Sequence, residues 1–351
     1  MKRVTIFAHY DKQNIVDPYV ITYLTELKKY SEIIFVSDCN LKEQEIKKIE
    51  NLCFDNIYKK HGEYDFGSYK FGFQLLQNKY SDKFNKLDEV LFVNDSCYLI
   101  GPFDKVFIQM EQKLEIDCWG LSDDYVDRGK YYLASYFLSF RRAVFLDKNF
   151  QNFINNINNQ DKDDVIIKYE FGLSEFLINN NKKLFAIFGS SEIIHFLADN
   201  FLNISAEIEN LLIKNSFFTK RKIIKIVRKV FGIVEANNST NYIHSDKFYF
   251  FIRNNFPLLK RRIIESGFLP KSILLFFWQE ILKKANSMAL KEIKTHCNRI
   301  GLGLKNSDIF SSKIKYLKYH IGLIKLFYIK DIIKNGKKTT LVKILFIKFR
   351  I

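Results

Sequence analysis

The largely apolar run EVLFV at residues 89–93 stops abruptly at Asn94-Asp95-Ser96, and this feature constrains the fold more than any other in the chain. Such a run predicts a strand buried on both faces, as in a parallel sheet covered by helices. Residues 4–8 and 33–36 are further short apolar runs, separated by apolar residues at helical spacing in Pro18–Tyr30. This strand–helix–strand order predicts an α/β fold with a mostly parallel sheet.

Two of the predicted strands end in polar residues, at His9–Asp11 and at Asn94–Ser96. In open α/β sheets, ligands bind outside the carboxyl ends of the strands, so both ends are candidate binding residues. Asp95 suits a cation held against phosphate oxygens, with Asn94 and Ser96 in support, because Mg²⁺ and Mn²⁺ prefer oxygen ligands. The alternative is an ordinary turn or helix cap, for which Asp-Ser is equally typical.

Charge divides the chain near residue 200. Residues 1–200 carry 25 Lys+Arg and 30 Asp+Glu, whereas residues 201–351 carry 30 and 9. We therefore predict an α/β domain over residues 1–200 and a basic, mainly helical region over residues 201–351, facing a polyanion or an anionic membrane. Further helices are predicted over Leu41–Leu52, Tyr69–Tyr80 and Asp163–Asn179, with extended segments at Asp117–Gly120 and Tyr131–Phe140.

The five cysteines are scattered and contain no CxxC pair, which argues against a zinc site or a disulfide scaffold and favours a cytosolic protein. The sequence of the N-terminal segment predicts a strand and not a signal peptide. No stretch reaches the ~18 uncharged apolar residues that span a bilayer. No helix-turn-helix, zinc-finger or aromatic RNA-binding signature is present, so nucleic acid is not an expected partner.

Ordered sequence blocks resemble the rhamnan-synthesis F family of bacterial polysaccharide glycosyltransferases. They cover nearly all of the first 200 residues and one later segment: YDFGSYKFGF (64–73), EVLFVNDSCYLIGPF (89–103), DCWGLSDD (117–124), ASYFLSFRR (134–142), YEFGLSEFL (169–177) and NFPLLKRRI (255–263). The resemblance implies a GT-A-like, Rossmann-like domain that uses a dTDP-, UDP- or GDP-linked sugar, often rhamnose.

In that setting Asn94-Asp95-Ser96 stands where GT-A enzymes carry an Asp-x-Asp metal motif. Only one carboxylate is present, so Asp95 is the candidate ligand for Mg²⁺ or Mn²⁺, and Lys or Arg is the alternative partner for the diphosphate. Glu170 resembles the acidic residue that GT-A enzymes place beside the acceptor, which makes it the candidate general base. Asp123 and Asp124 are the second choice. The alternatives are that Glu170 is an ordinary charge on a helix surface and that Asp123 and Asp124 lie in a solvated turn.

The remaining donor-site candidates each have a structural alternative. Tyr10 suits base stacking and Asp11 a base or ribose contact, whereas His9 is as readily a core histidine. The donor-site set is completed by Tyr64, Asp65, Gly67 and Ser68 before a helix, Trp119 and Gly120 as a sugar-pocket floor, and Lys260 and Arg261 facing phosphate. The alternatives are that Ser68 is an N-cap, that Trp119 is a buried structural residue, and that Lys260 and Arg261 belong to a solvated basic face.

Basic amphipathic segments around Lys220–Lys229 and Lys313–Lys330 interleave lysine with large apolar residues, as interfacial helices do. With the family resemblance, they predict a peripheral protein at the cytoplasmic face of the cell membrane. The expected acceptor is a glycan or lipid-linked glycan of a cell-surface polysaccharide, such as a capsule or O-antigen. The competing interpretation is a nucleic-acid-binding or membrane-associated protein without catalysis.

Overall fold

The computed structural model describes residues 1–126, 130–158, 165–189, 255–265, 287–302, 329–334, 337–344 and 347–350. The predicted boundary near residue 200 and the predicted helix around Lys220–Lys229 lie outside these residues. Within them, no helix is long and apolar enough to cross a membrane.

The strands are β1 (Arg3–His9), β2 (Glu32–Ser37), β3 (Asp55–Tyr58), β4 (Glu89–Asn94), β5 (Cys97–Leu99), β6 (Cys118–Val126), β7 (Lys130–Leu133), β8 (Phe137–Arg141), β9 (Leu184–Phe188), β10 (Leu258–Lys260), β11 (Ile329–Lys334), β12 (Lys337–Ile344) and β13 (Ile347–Arg350). The helices are α1 (Pro18–Leu27), α2 (Glu43–Ile46), α3 (Tyr64–Lys79), α4 (Ser81–Phe84), α5 (Asp104–Glu111), α6 (Arg142–Phe145), α7 (Lys148–Asn155), a π-helix (Ile166–Phe171), α8 (Gly172–Asn179), α9 (Arg261–Glu265) and α10 (Ser287–Arg299).

An eight-stranded sheet runs in the order β3-β2-β1-β4-β8-β6-β7, and β9 also pairs with β6. Strands β1 to β4 are mutually parallel, while β8 is antiparallel to both β4 and β6. Six of the eight strands therefore point the same way, since β7 is antiparallel and β9 parallel to β6. The predicted mostly parallel α/β sheet is confirmed.

The sheet is buried on both faces, as the apolar strands predict. In β4, Leu91 and Val93 point into one core cluster and Val90 and Phe92 into the other. Helices α1, α5 and α10 cover the first face, and α3, α7 and α8 cover the second. This alternation follows from the period of two along a strand.

Glu89 is a charged exception at the amino end of β4, with no exposed surface. Its carboxylate lies 2.5 Å from Arg3 Nε and 2.9 Å from Arg141 Nη1. It also accepts a hydrogen bond of 3.0 Å from Trp119 Nε1. Two guanidinium groups and an indole therefore compensate the buried charge.

Two segments beyond residue 200 pack on the core of the sheet domain. Strand β10 pairs antiparallel with β5, with Lys260 opposite Cys97. Helix α10 contributes Leu290 and Ile293 to the same core cluster as α1. These packed segments bring basic residues from far along the chain to the sheet.

Three predicted elements differ in the structure. Helix α3 begins at Tyr64, five residues before the predicted start, and α2 is a single turn at Glu43–Ile46. Residues 329–334, 337–344 and 347–350 form an antiparallel sheet, whereas the sequence predicts a mainly helical region there. Its Ile-, Val- and Thr-rich sequence explains the difference, because β-branched residues favour paired strands over helix.

Candidate active site

Strands β1, β2, β4 and β6 end at one edge of the sheet, and this edge gathers the polar strand ends that the sequence predicts. The two candidate ends are joined directly, since the Tyr10 amide donates to Asp95 Oδ2 at 3.1 Å. The Asn94 amide donates to the carbonyl of Tyr136, at the start of β8, at 3.2 Å. The edge is therefore one continuous polar surface.

Asp95 is the buried centre of this edge, with 6% of its surface exposed. Its Oδ1 lies 3.7 Å from Nη1 of Arg261. Burial raises the pKa of Asp95 to about 6, although the Arg261 guanidinium opposes the rise. At neutral pH the Asp95 carboxylate is therefore mostly ionised, although burial makes its ionised form less favourable than in water.

Lys260 and Arg261 reach the site because β10 pairs with β5. The Lys260 ammonium donates to Ser96 Oγ at 3.0 Å and lies 4.7 Å from the centre of the Tyr136 ring. The Arg261 amide donates to the Ser96 carbonyl at 2.8 Å. Two cations therefore stand beside the Asn94–Ser96 strand end, as predicted for a diphosphate partner.

Asn94 links the strand end to the first turn of α3. Its Nδ2 donates to Asp65 Oδ2 at 2.7 Å, and its Oδ1 accepts from Ser96 Oγ at 2.5 Å. Burial and the nearby Asp95 carboxylate raise the pKa of Asp65 to about 7, against the opposing effect of Lys260. Asp65 thus belongs to the same electrostatic cluster as Asp95.

Glu170 faces this edge from the π-helix. Its Oε1 accepts two hydrogen bonds from Ser135, one from the amide at 3.2 Å and one from the hydroxyl at 2.8 Å. Ser135 immediately precedes Tyr136, whose carbonyl binds the Asn94 amide. π-Helical turns occur frequently at functional sites, and this one presents a carboxylate to the site edge.

Asp123 and Asp124 lie in the buried part of β6, with 8% and 4% of their surfaces exposed. They pair across the hairpin with Leu133 and Tyr132. Burial and the Asp124 carboxylate raise the pKa of Tyr132 well above its ordinary value. Neither aspartate lies in a solvated turn.

The β1 end divides into a buried and an exposed part. His9 is 2% exposed and its Nδ1 lies 2.9 Å from Ser37 Oγ. Burial lowers the pKa of His9 to about 4, so it is a neutral core histidine at neutral pH. Tyr10, by contrast, is 52% exposed.

Asp11 is bound by Arg299, a residue that sequence reasoning did not identify. Arg299 Nη2 donates to Asp11 Oδ2 at 2.5 Å and also to Asp17 Oδ2 at 2.5 Å. Burial raises the pKa of Asp11, but the hydrogen bonds from Arg299 and the Gln13 amide lower it overall. Asp11 is therefore an ionised anchor for α10, and no local sequence signal pairs residues 288 positions apart.

Several predicted donor-site residues have packing roles instead. Trp119 is fully buried and bonded to Glu89, so it forms no pocket floor. In β6, a Cβ on Gly120 would lie 3.1 Å from the Phe137 carbonyl oxygen, so Gly120 allows close strand packing.

The start of α3 also differs from its predicted role. Gly67 and Ser68 lie inside the helix, where the Gly67 amide already donates to the Glu63 carbonyl. A Cβ on Gly67 would lie 2.3 Å from Glu63 Cβ. Ser68 is buried against His61 Nε2 at 2.9 Å, so it caps no helix. Of this stretch, Asp65 faces the site through Asn94, and Tyr64 is exposed at the first residue of the helix.

The described residues around Asp95 do not form a preassembled metal cage. They contain no group of three His, Cys, Asp or Glu side chains placed to hold a metal ion. The Asp95 oxygens face the Tyr10 amide and the Arg261 guanidinium, which are donors and not co-ligands. Within this part of the chain, the cations Lys260 and Arg261 lie beside the same strand end.

A sequence model of the family described as rhamnan synthesis protein F matches residues 33–246, more than half of the chain. The chain belongs to this family. The family resemblance predicted from the sequence blocks is thereby confirmed. The match covers Asp65, Asn94–Ser96 and Glu170, whereas Lys260 and Arg261 lie beyond it.

Several solved structures resemble part of the chain, at very low sequence identity and with low TM-scores. The mannosyltransferase Ktr4p from Saccharomyces cerevisiae is 7% identical over 43% of this chain and 59% of its own, with a TM-score of 0.28. Mouse xyloside xylosyltransferase 1 is 9% identical over 53% and 85%, with a TM-score of 0.30. A cytidylyltransferase from Leptospira borgpetersenii is 10% identical over 68% and 99%, with a TM-score of 0.33.

With TM-scores of 0.28 to 0.33, these likenesses carry no argument about fold or activity. The chain spans about three fifths of the length of the yeast structure it matches. No curated protein matches the chain in sequence.

Proposed function

We propose that this protein is a glycosyltransferase that moves a sugar from a nucleotide-diphosphate donor to a glycan acceptor. The observation that carries the proposal is the convergence of Asp95, Lys260, Arg261 and Glu170 on one edge of the sheet. Membership of the rhamnan synthesis protein F family supports it, and favours a hexose such as rhamnose as the transferred sugar.

The donor lies along the β1 and β4 ends in this proposal. A dTDP-, UDP- or GDP-linked sugar stacks its base on the exposed ring of Tyr10 and directs its diphosphate at Lys260 and Arg261. As the bond from the sugar to the diphosphate breaks, negative charge accumulates on the leaving oxygen. Cations fixed beside that oxygen stabilise the charge without reorganisation.

Glu170 is the proposed general base. The acceptor hydroxyl oxygen forms a bond to the anomeric carbon while its proton passes to the Glu170 carboxylate. The bond between that carbon and the diphosphate oxygen breaks, and its electron pair leaves with the diphosphate. A single displacement of this kind inverts the anomeric centre. Ser135, which donates two hydrogen bonds to Glu170, fixes the orientation of the carboxylate.

A binding and transfer experiment tests this function. Thermal shifts are measured with dTDP-rhamnose, UDP-glucose and GDP-mannose, with Mn²⁺ or with a chelator, and transfer to a rhamnan oligosaccharide is then followed. We expect Glu170→Gln to lower kcat by about 10²–10⁴-fold while donor binding persists. Glu175→Gln, an exposed glutamate on α8, is the matched control. A protein that binds none of the donors but binds RNA tightly belongs to the competing nucleic-acid class.

We further propose that the enzyme works peripherally at the cytoplasmic membrane face on a lipid-linked acceptor of a cell-surface polysaccharide. The excess of Lys+Arg over Asp+Glu in residues 201–351 supports this location, because each such residue adds about 1 kcal/mol of attraction to an anionic leaflet. We expect sedimentation with phosphatidylglycerol vesicles at low salt and release at about 0.5 M salt, where screening is strong. No sedimentation at low salt contradicts the proposal.

A further inference from the structure

A second polar concavity lies between α7 and α8. It is a groove of about 420 Å³, and the part of its lining that the structure describes is uncharged: Asn149, Asn152, Phe153, Asn156, Tyr169, Phe176 and Asn180. Four amides and three aromatic rings make up this described lining. This composition differs sharply from the carboxylates and cations of the strand-end edge.

Helix α7 presents three of the amides on one face. Asn149, Asn152 and Asn156 follow each other at spacings of three and four residues, which places them on one side of a helix. Asn149 and Asn152 are exposed, and so is Asn156 at the end of the helix. Asparagine is a poorer helix former than alanine, so this face is not explained by helix stability.

Aromatic rings form the apolar part of the groove. Phe153 and Phe176 are stacked, with ring centres 5.0 Å apart and planes at 28°. Both rings are only partly buried. Tyr169 meets Phe153 edge to face at 6.1 Å. An aromatic surface is thus open at the junction of the two helices.

This combination matches the chemistry of a neutral glycan. A sugar ring has an apolar face of C–H bonds, which packs on aromatic rings, and hydroxyl groups that both donate and accept hydrogen bonds. An asparagine amide can donate and accept hydrogen bonds, so it pairs with hydroxyls in either role. Of the four, Asn180 already donates to the Phe176 carbonyl at 2.8 Å. Among the residues described for this groove, none is a cation that would pair with a phosphate, a nucleotide or an anionic lipid headgroup.

The groove shares its wall with the proposed catalytic base. Tyr169 immediately precedes Glu170 in the π-helix. On its other side, the Tyr169 ring centre lies 5.8 Å from that of Phe66, the neighbour of Asp65. Tyr169 therefore lies between the groove and the segment of α3 that carries Asp65.

We propose that the groove between α7 and α8 is a subsite for the neutral, non-reacting sugars of the acceptor glycan. The assignment rests on the proposed glycosyltransferase function, because it takes the groove to hold the chain whose end reacts beside Glu170.

Asn152→Ala tests the subsite, with a rhamnan-derived hexasaccharide as the probe. Asn152 is exposed on α7, so alanine leaves the fold at least as stable. Binding of the hexasaccharide is measured by isothermal titration, and KM is measured separately for the acceptor and the donor. We expect Kd and acceptor KM to rise about fivefold to tenfold, the effect of one lost hydrogen bond, with donor KM unchanged. Asn78→Ala, an exposed asparagine on α3, is the matched control and leaves both constants as in the wild type.

The outcomes separate this proposal from the proposed function. If the wild type binds donor but not the hexasaccharide, or if Asn152→Ala binds it as the wild type does, the subsite is refuted while the transferase proposal stands. If the hexasaccharide binds in an Asn152-dependent manner but no nucleotide sugar binds, the groove is a glycan site of a protein that is not this transferase.

Discussion

Replacing Asp95 with asparagine separates the stability of the fold from its proposed activity, because it removes the charge and keeps the size of the side chain. Burial raises the pKa of Asp95 from its ordinary value of 3.8 to about 6. The folded protein therefore binds this proton more tightly than the unfolded chain does. Ionisation of Asp95 consequently destabilises the fold, increasingly as pH rises from about 4 to about 6 and by a constant amount above that.

The size of the effect follows from the shift. A rise of about 2 pKa units corresponds to a cost of about 3 kcal/mol at pH 8, which already contains the attraction of Arg261. At pH 4.5 the cost is only about 1 kcal/mol, since most of the carboxyl is protonated in the folded state. We expect Asp95→Asn to raise the free energy of unfolding by about 2–3 kcal/mol at pH 8 and by about 1 kcal/mol at pH 4.5, and to abolish transfer.

Urea unfolding of the wild type and Asp95→Asn at both pH values measures the two differences, and a transfer assay follows activity. Asp82→Asn, an exposed carboxylate on α4, is the control and should change stability by less than about 0.5 kcal/mol. A variant with no gain at pH 8, or with the same gain at both pH values, refutes the account of the buried charge. A variant that transfers sugar normally removes Asp95 from the proposed site.

Two further substitutions test the donor contact and the packing beneath the site. Lys260→Gln should raise the donor KM by about tenfold, because a charge-assisted contact to the diphosphate is lost. The control Arg262→Gln, at an exposed position, should leave the donor KM unchanged. Equal effects of the two substitutions contradict the assignment of Lys260 to the diphosphate. Gly72→Ala should lower the free energy of unfolding by about 1–3 kcal/mol, because its Cβ would lie 2.3 Å from Ile6 Cγ2. Gly172→Ala, whose nearest contact is 3.5 Å away, should be near neutral in the same denaturation assay.

The sheet and its polar edge were predictable because they depend on local patterns. Apolar runs at residues 4–8, 33–36 and 89–93 each became a central strand of the parallel half of the sheet. Parallel strands bring their carboxyl ends together, so the contact between the Tyr10 amide and Asp95 followed from the topology. The number of residues between the ends of β1 and β4 does not affect this prediction.

Contacts made by the later chain were not predictable in the same way. Lys260 reaches Ser96 across 164 residues through a three-residue strand, which is too short to show a periodic pattern. The bond between Arg299 and Asp11 spans 288 residues and depends on the docking of α10. A basic stretch in the sequence indicated charge, but only the pairing of β10 with β5 gives that charge a position.

Errors at Trp119 and Ser68 have a different origin. Both residues lie close in sequence to site residues, but the register of β6 and the rotation of α3 turn their side chains into the interior. A shift of one residue along a strand reverses the face of a side chain, so proximity in sequence says little about orientation. Asp65 and Ser68, three residues apart on α3, illustrate this, since one bonds Asn94 and the other His61.

The buried carboxyls at this edge make the nearby cations Lys260 and Arg261 important for binding a diphosphate. Asp65 and Asp95 are carboxyls whose pKa values burial has already raised to about 7 and about 6, so an approaching diphosphate adds charge where negative charge is already costly. His9 offers no compensation, because burial lowers its pKa to about 4.

Compensation within the described part of the edge therefore falls to Lys260 and Arg261, which lie beyond the family match at residues 33–246. The family match contains the carboxylates, and the addition of β10 to β5 supplies the positive charge. A donor diphosphate would then be bound by two parts of the chain that only the folded sheet brings together.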